Sequence, residues 1–284
     1  MKIKLRHVVS VLFVIASAGS AQERLAQPGD ALSADLDNYF VLDNFEEAKF
    51  QISFKYRLLN NFIKSDPKLP FIESFDLERV NNFYFTYTQK SFWDIGRDSA
   101  PFRDHNFGPG LRYSLHDSPI GFFEEIDLGV EHESNGLDAE SSRSWNRIYA
   151  GFEFEPHPKV DATLKLWHIF STGDNNPDID EFLGNAELTL AYNTKPATQT
   201  PDGNRDPENI RLQYIGRLGS DGSKGSSTVE LQIPFAAAFD KPRWNPHIML
   251  QYWNGYGENL LEYNKRSNAF RAGILFPFGT TSEP

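Results

Sequence analysis

Two short strings of this chain hold side chains suited to nucleophilic chemistry: His132-Glu133-Ser134-Asn135-Gly136 and Ser142-Arg143-Ser144-Trp145-Asn146-Arg147. A serine hydroxyl is a weak nucleophile until a neighbouring base takes its proton. His132 can be that base for Ser134. An imidazole serves best when its other nitrogen is held in one tautomer, and the amide oxygen of Asn146 can accept that hydrogen bond. A neutral Asn stabilises an imidazolium less than Asp would, but it avoids another ionised carboxylate beside hydrocarbon. The missing charge could come from a cation in the intervening loop. These roles require three residues, spread over fifteen positions, to share one face.

The elements that would position them read as strands. In steps of two, Ile126, Leu128 and Val130 fall in one phase and Glu125, Asp127 and Glu131 in the other. Strand side chains alternate faces in this way. Ile148, Ala150, Phe152 and Phe154 oppose Arg147, Tyr149, Gly151 and Glu153. The same pattern holds for Phe50–Tyr56, Phe83–Tyr87, Val160–Leu166, Ala186–Tyr192, Ile210–Tyr214, Val229–Ile233, Ile248–Tyr252 and Ala272–Phe278. Most segments approach the ~10 residues that a tilted strand needs to cross a bilayer. Turn signals such as Asp174-Asn175-Asn176-Pro177, Pro201-Asp202-Gly203-Asn204, Asp221-Gly222-Ser223 and Gly255-Tyr256-Gly257 separate them. With weaker segments near 106–116 and 258–266, the count is about twelve, an even number as in bacterial barrels.

A soluble β-sandwich alternates too, with its apolar face inward. Segment length, rings such as Phe83, Tyr87, Phe154, Tyr192, Tyr252 and Phe278 near strand ends, and a heavily charged polar phase favour an all-β, twelve-stranded antiparallel transmembrane β-barrel. The barrel is expected over residues 46–279. Residues 22–45 are polar and acidic without alternation, and read as an N-terminal periplasmic tail of unassigned role. Lys2, Lys4 and Arg6, the apolar run Val8–Ala18 and the small residues ending at Ala21 read as a secretory signal peptide over residues 1–21.

Composition narrows the function. The 284 residues include no cysteine, so disulfides and thiolate metal sites are excluded. A formal charge of −11 without a basic stripe argues against nucleic acid as a partner. No later apolar run reaches the roughly 20 residues of a membrane-spanning helix.

Extending the strand through Val130 without changing phase reaches His132 and Ser134; reading the next strand backwards from Ile148 reaches Asn146. A hairpin through 135–143 therefore brings the three to one rim, on the face that otherwise touches lipid. Polar side chains there are costly, increasingly so with depth. The alternative is that His132 and Asn146 are interfacial residues bonded to loop backbone, and residue types alone leave both readings open. Gln89, in the lipid phase of Phe83–Tyr87, wants a partner that either a second barrel or headgroup water could supply. A porin or transporter, an adhesion or structural barrel, and an esterase for lipid A or a small ester are rivals. The charged inward phase of Glu125, Asp127, Glu131, Arg147 and Glu153 suits a filled interior better than a channel.

These strings, with Tyr87-Thr88-Gln89-Lys90-Ser91 and Pro101-Phe102-Arg103, and weaker echoes at Asn176-Pro177-Asp178-Ile179 and Gly255-Tyr256-Gly257-Glu258, resemble the bacterial outer-membrane phospholipase A family over roughly residues 45–278. The resemblance implies a homodimeric enzyme of the Gram-negative outer membrane. Its substrates would be sn-1 and sn-2 acyl esters of phospholipids and lysophospholipids. It implies Ser134 as nucleophile, His132 as base, Asn146 as orienter and the Gly136 N–H in an oxyanion hole. It further implies Ca2+ held by the Leu137 carbonyl, the Ser142 hydroxyl and Ser99 of the other subunit, with Gln89 as a dimer contact. Leu137 stands where Arg is commoner, Ala139 where the family often has an acid, and the stretch from Trp93 to Pro101 is short. Asp138 and Glu140 could bind calcium directly, since hard cations prefer oxygen.

Overall fold

Side chains that alternate between lipid and a charged interior leave a sheet with no tolerable edge in a bilayer, so the sheet must close. The computed structural model shows that closure; it describes residues 31–44, 46–58, 82–116, 120–196, 209–235 and 246–276. The proposed signal peptide, Phe278 and the turn at 201–204 lie outside them. The strands are β1 (Leu32–Ala34), β2 (Asn38–Asp43), β3 (Glu47–Arg57), β4 (Phe83–Trp93), β5 (Phe102–His116), β6 (Glu125–Ser134) and β7 (Ser144–His157). They continue as β8 (Val160–Thr172), β9 (Ala186–Asn193), β10 (Arg211–Leu218), β11 (Gly225–Pro234), β12 (His247–Gly255) and β13 (Ser267–Phe276). Among the described residues one short α-helix, α1 (Ile179–Leu183), interrupts the series. All pairings are antiparallel, and each strand from β2 onward pairs with the next in sequence. Strands β1 and β2 lie end to end beside β3, Leu32 opposite Tyr56 and Tyr39 opposite Gln51. They share one position, so thirteen strands make twelve places in the ring. Pairing of β2 with β13, from Leu42 opposite Ala272 to Asn38 opposite Phe276, shuts it.

The ring corrects two expectations. Residues 22–45 are not wholly a tail, because β1 and β2 supply the closing strand. Its alternation is hidden because both faces are apolar. Tyr39 and Val41 pack inward with Met249 and Leu275, while Phe40 joins Phe50, Ala48 and Trp93 on the outer side. Segment 258–266 is not a strand but a turn folded into the barrel mouth. There Leu260 and Tyr263 bury against Ile179, Phe182 and Leu183 of α1 and against Trp145 and Trp167. Twelve was the right number with one wrong member.

The expected phases hold. Leu128, Val130 and Ile148 are exposed on the outer wall, Ile148 by 53%. Inside, Glu131 accepts hydrogen bonds from Arg147 at 2.7 Å and Lys165 at 2.6 Å, and Arg217 pairs with Glu187 at 2.6 Å. A second network joins Glu258 to Arg271 at 2.5 Å and Lys49 at 3.3 Å, with Lys49 donating to Gln251 and Gln251 to Glu230. Buried charges persist only when so paired. An aromatic plug lies at the mouth, and the charged inward phase, including Glu131, Arg147, Lys165 and Glu230, lines a cavity of about 410 Å³.

Candidate active site

Strands β6 and β7 set the central geometry through their register. His132 faces Asn146 and Ser134 faces Ser144. The Asn135 N–H donates to Arg143 O at 3.1 Å, which marks 135/143 as a hydrogen-bonded pair. Antiparallel pairs alternate in type, so 134/144 and 132/146 are both non-hydrogen-bonded pairs, whose side chains stand closer. His132 Nδ1 lies 2.8 Å from Asn146 Oδ1. An amide oxygen only accepts, so Nδ1 carries the proton and Nε2 is left basic. Beside Asn146 the pairing of β7 with β8 slips, Asn146 facing Ser171 and Arg147 facing Ile169. Such bulges re-aim side chains next to functional sites. The flanking Trp145 is 1% exposed, donates to Glu133 at 3.0 Å and lies beneath Arg147, which holds Asn146 on the outer wall.

Ser134 shares that wall, but its hydroxyl has no hydrogen bond among the described residues. Two of the three expected members are thus joined and the third stands beside them. Catalytic contacts in ligand-free sites often tighten only with substrate. Gly136 follows with φ +66°, and a Cβ there would come within 3.0 Å of the Phe107 ring. The turn therefore needs glycine for both conformation and space.

The loop 135–143 is knitted by Asn135, which is 2% exposed. Its Nδ2 donates to Ser141 O at 2.8 Å, and its Oδ1 accepts from the Arg143 and Leu137 amides at 2.9 and 3.4 Å. Arg143 Nη1 donates to the carbonyls of Glu140 and Ser142 at 2.7 and 2.9 Å, placing a cation in the loop. The Leu137 carbonyl, the Ser142 hydroxyl and the carboxylates of Asp138 and Glu140 have no hydrogen-bond partner among the described residues. Free hard oxygens of this kind fit calcium. No cluster of three or more acidic, His or Cys side chains stands ready for a metal among the described residues. A site here would lean on neutral oxygens and water.

Ser99 sits exposed in the β4–β5 turn at the same rim. It has φ +64°, with Ala100 at +43°, and makes no hydrogen bond to the triad or its loop among the described residues. Gln89 is satisfied within its own chain, accepting from the Tyr87 hydroxyl and donating to Ser91 Oγ, both at 3.1 Å. Desolvation of that amide therefore does not by itself demand a second copy.

Sequence reading gave Asn175 and Asn176 no role at the site: both read as a turn, and Asn176 also as part of a weak family echo. Asn176 Oδ1 accepts from the Ser144 amide at 3.1 Å and its Nδ2 donates to Ser144 O at 2.9 Å. Asn175 donates to Ala139 O at 2.9 Å. The only available signal was the Asn-Asn-Pro-Asp string.

Comparison with known proteins agrees with this wall. Phospholipase A1 of Salmonella typhimurium is 27% identical over 250 residues, 84% of this chain and 78% of the relative. That of Escherichia coli K12 is 27% identical over 237 residues, 81% of this chain and 69% of the relative. The fold matches outer membrane phospholipase A of Escherichia coli with TM-score 0.65 at 24% identity, covering 86% of this chain and 98% of that one. It also matches a Salmonella typhi outer membrane phospholipase, solved as a dimer with bound calcium, with TM-score 0.65 at 23% identity over 90% and 96% of the two chains. Both solved structures are named as outer membrane proteins, and the closed barrel with its apolar outer wall fits that setting. The family model for phospholipase A1 matches residues 6–276. A match of that extent decides the matter, and this chain belongs to the phospholipase A1 family of carboxylic ester hydrolases.

Proposed function

We propose that this phospholipase works through Ser134, His132 and Asn146, with calcium, on both sn-1 and sn-2 esters of phospholipids and lysophospholipids, as a homodimer. The carrying observation is the 2.8 Å bond between His132 Nδ1 and Asn146 Oδ1 on a wall otherwise given to lipid. As Ser134 Oγ attacks the ester carbonyl carbon, His132 Nε2 takes its proton. The Gly136 N–H donates to the oxygen that becomes negative. The carbon–oxygen bond to glycerol then breaks, and the imidazolium returns its proton to the leaving alcohol. A water, deprotonated by His132, cleaves the acyl–Ser134 ester and frees the fatty acid.

Leu137 O, Ser142 Oγ and Ser99 from the partner would hold calcium together with water, and the carboxylate of Asp138 or Glu140 could join them. Calcium, when bound, would supply the positive charge that a neutral Asn146 cannot. Arg143 already contributes part of that field from within the loop. The dimeric, calcium-bound Salmonella typhi structure favours the metal and the dimer. A dimer would enclose the acyl chains between two outer walls bearing Leu128, Val130 and Ile148, with Gln89 in the contact.

The test is fatty-acid release from phospholipid in detergent micelles, with excess calcium, with a chelator, and with Ser134→Ala. Calcium-dependent release that the substitution abolishes, in a barrel that still folds, is expected. Retained hydrolysis in Ser134→Ala would remove the nucleophile, and an unchanged calcium response in Ser99→Ala or Asp138→Ala would remove that ligand.

A further inference from the structure

A second polar group stands on the lipid-facing wall beside Ser134. Tyr87, Gln89 and Ser91 follow one another on the outer phase of β4, and Ser91 faces His105 of β5. On its other side β5 places Phe107 opposite Ser134. His105 is thus one strand across from the nucleophile and two residues nearer the rim. Spacings of about 3.4 Å per residue and 4.8 Å per strand put its Cα roughly 8 Å from that of Ser134.

Two directed hydrogen bonds and one to an imidazole join this group. The Tyr87 hydroxyl donates to Gln89 Oε1, and Gln89 Nε2 donates to Ser91 Oγ, each at 3.1 Å. Ser91 Oγ lies 2.8 Å from His105 Nδ1. Ser91 accepts from Gln89 and keeps its own proton to give, and when that proton goes to Nδ1 the neutral ring carries its proton on Nε2. Chains of this kind polarise each member in turn. Phe102 and Phe107 hold the ring, with centroids 4.6 and 5.8 Å away. Nδ1 points to β4, so Nε2 lies on the flank toward β6, where Ser134 and Gly136 are. Nε2 has no partner among the described residues, and His105 is part-exposed.

A fixed donor on a lipid face, without an acceptor, costs free energy. The acceptor at this level of a membrane is the anionic phosphodiester of a phospholipid. In a substrate whose ester is at Ser134, that group hangs from the same glycerol a few bonds away. We propose that His105 Nε2–H hydrogen-bonds the phosphodiester of the bound phospholipid, and that Ser91, Gln89 and Tyr87 are positioning residues that fix its tautomer. The site would then select phosphodiester-bearing lipids over neutral acyl esters. This rests on Ser134 as nucleophile.

The test compares kcat/KM for phosphatidylcholine and for a neutral p-nitrophenyl acyl ester in the same detergent micelles with calcium. In His105→Ala the ratio of phospholipid to neutral ester should fall about tenfold, as expected for one charge-assisted hydrogen bond, chiefly through KM on the phospholipid. His105→Gln, which keeps a donor, should restore part of it, and Ser91→Ala should lower it by a smaller factor. An unchanged ratio, whether both substrates fall together or neither does, would overturn the proposal. Ser134→Ala runs alongside: hydrolysis surviving there breaks the assignment of nucleophile, while the ratio in His105→Ala still reports on the phosphodiester contact.

Discussion

Asn176→Ala is the most informative perturbation of the β6–β7 hairpin that carries the proposed site. Asn176 is 0% exposed and grips the main chain of Ser144 from both sides, through its 3.1 Å acceptor and 2.9 Å donor contacts. Ser144 faces Ser134, and Asn146 is two residues on. Truncation removes two hydrogen bonds and leaves the Ser144 amide without this partner. At about 1 kcal/mol per bond, with a further cost for an orphaned donor, the loss is roughly 2–3 kcal/mol. The Gly173 N–H, also bonded to Ser144 O at 2.7 Å, remains. If this clamp alone separates aligned from misaligned strand ends, the aligned fraction falls by about 30- to 140-fold, at 1.4 kcal/mol per factor of ten. The expected result is a kcat reduced by about that factor with KM little changed, in a barrel that keeps its heat-modifiable gel migration. The apparent pKa of the rate should not move, because alignment and not ionisation is lost. Asn176→Asp keeps the acceptor but sets a carboxylate oxygen against Ser144 O, so it should not rescue. A kcat within twofold of the parent in a folded Asn176→Ala barrel would refute the clamp.

Asn146→Ala removes the acceptor that fixes the His132 tautomer, and kcat should fall by about 10- to 100-fold, with a shift in its pH profile that Asn176→Ala lacks. Gly136→Ala must accommodate φ +66° and a Cβ 3.0 Å from Phe107; it should lower kcat, and pairing it with Phe107→Ala should relieve only the steric part. In the turn after β12, burial alone would raise the Glu258 carboxyl, but Lys49 and Arg271 hold it below its ordinary value of 4.5. A depressed carboxyl contributes stability that is present above the unfolded value and lost as pH falls through the folded one. Barrel unfolding should therefore ease with acid below about pH 4.5, and Glu258→Gln should flatten that dependence. Glu258→Leu leaves two buried cations without their shared carboxylate and should cost about 3–5 kcal/mol in a denaturant titration.

The barrel and the His132–Asn146 pair were legible because a period of two is a local signal. Each residue's phase follows from its neighbours, and a single hairpin fixes the register between β6 and β7. Strand β2 escaped because its inward face packs Tyr39 and Val41 against Met249 and Leu275, so both phases are apolar and the alternation vanishes. Segment 258–266 was misread because its apolar residues serve a plug over the mouth, where no period applies. The grip of Asn176 on Ser144 spans 32 residues, and the contact of Lys49 with Glu258 spans 209. The bond from Ser91 to His105 crosses between strands whose pairing is known only once they are laid side by side. Residue types and phase determined which chemistry was possible and on which face. Closure of the ring decided which distant side chains fix the β6–β7 hairpin, because those contacts depend on strand neighbours and on loops folding back, neither of which leaves a local pattern.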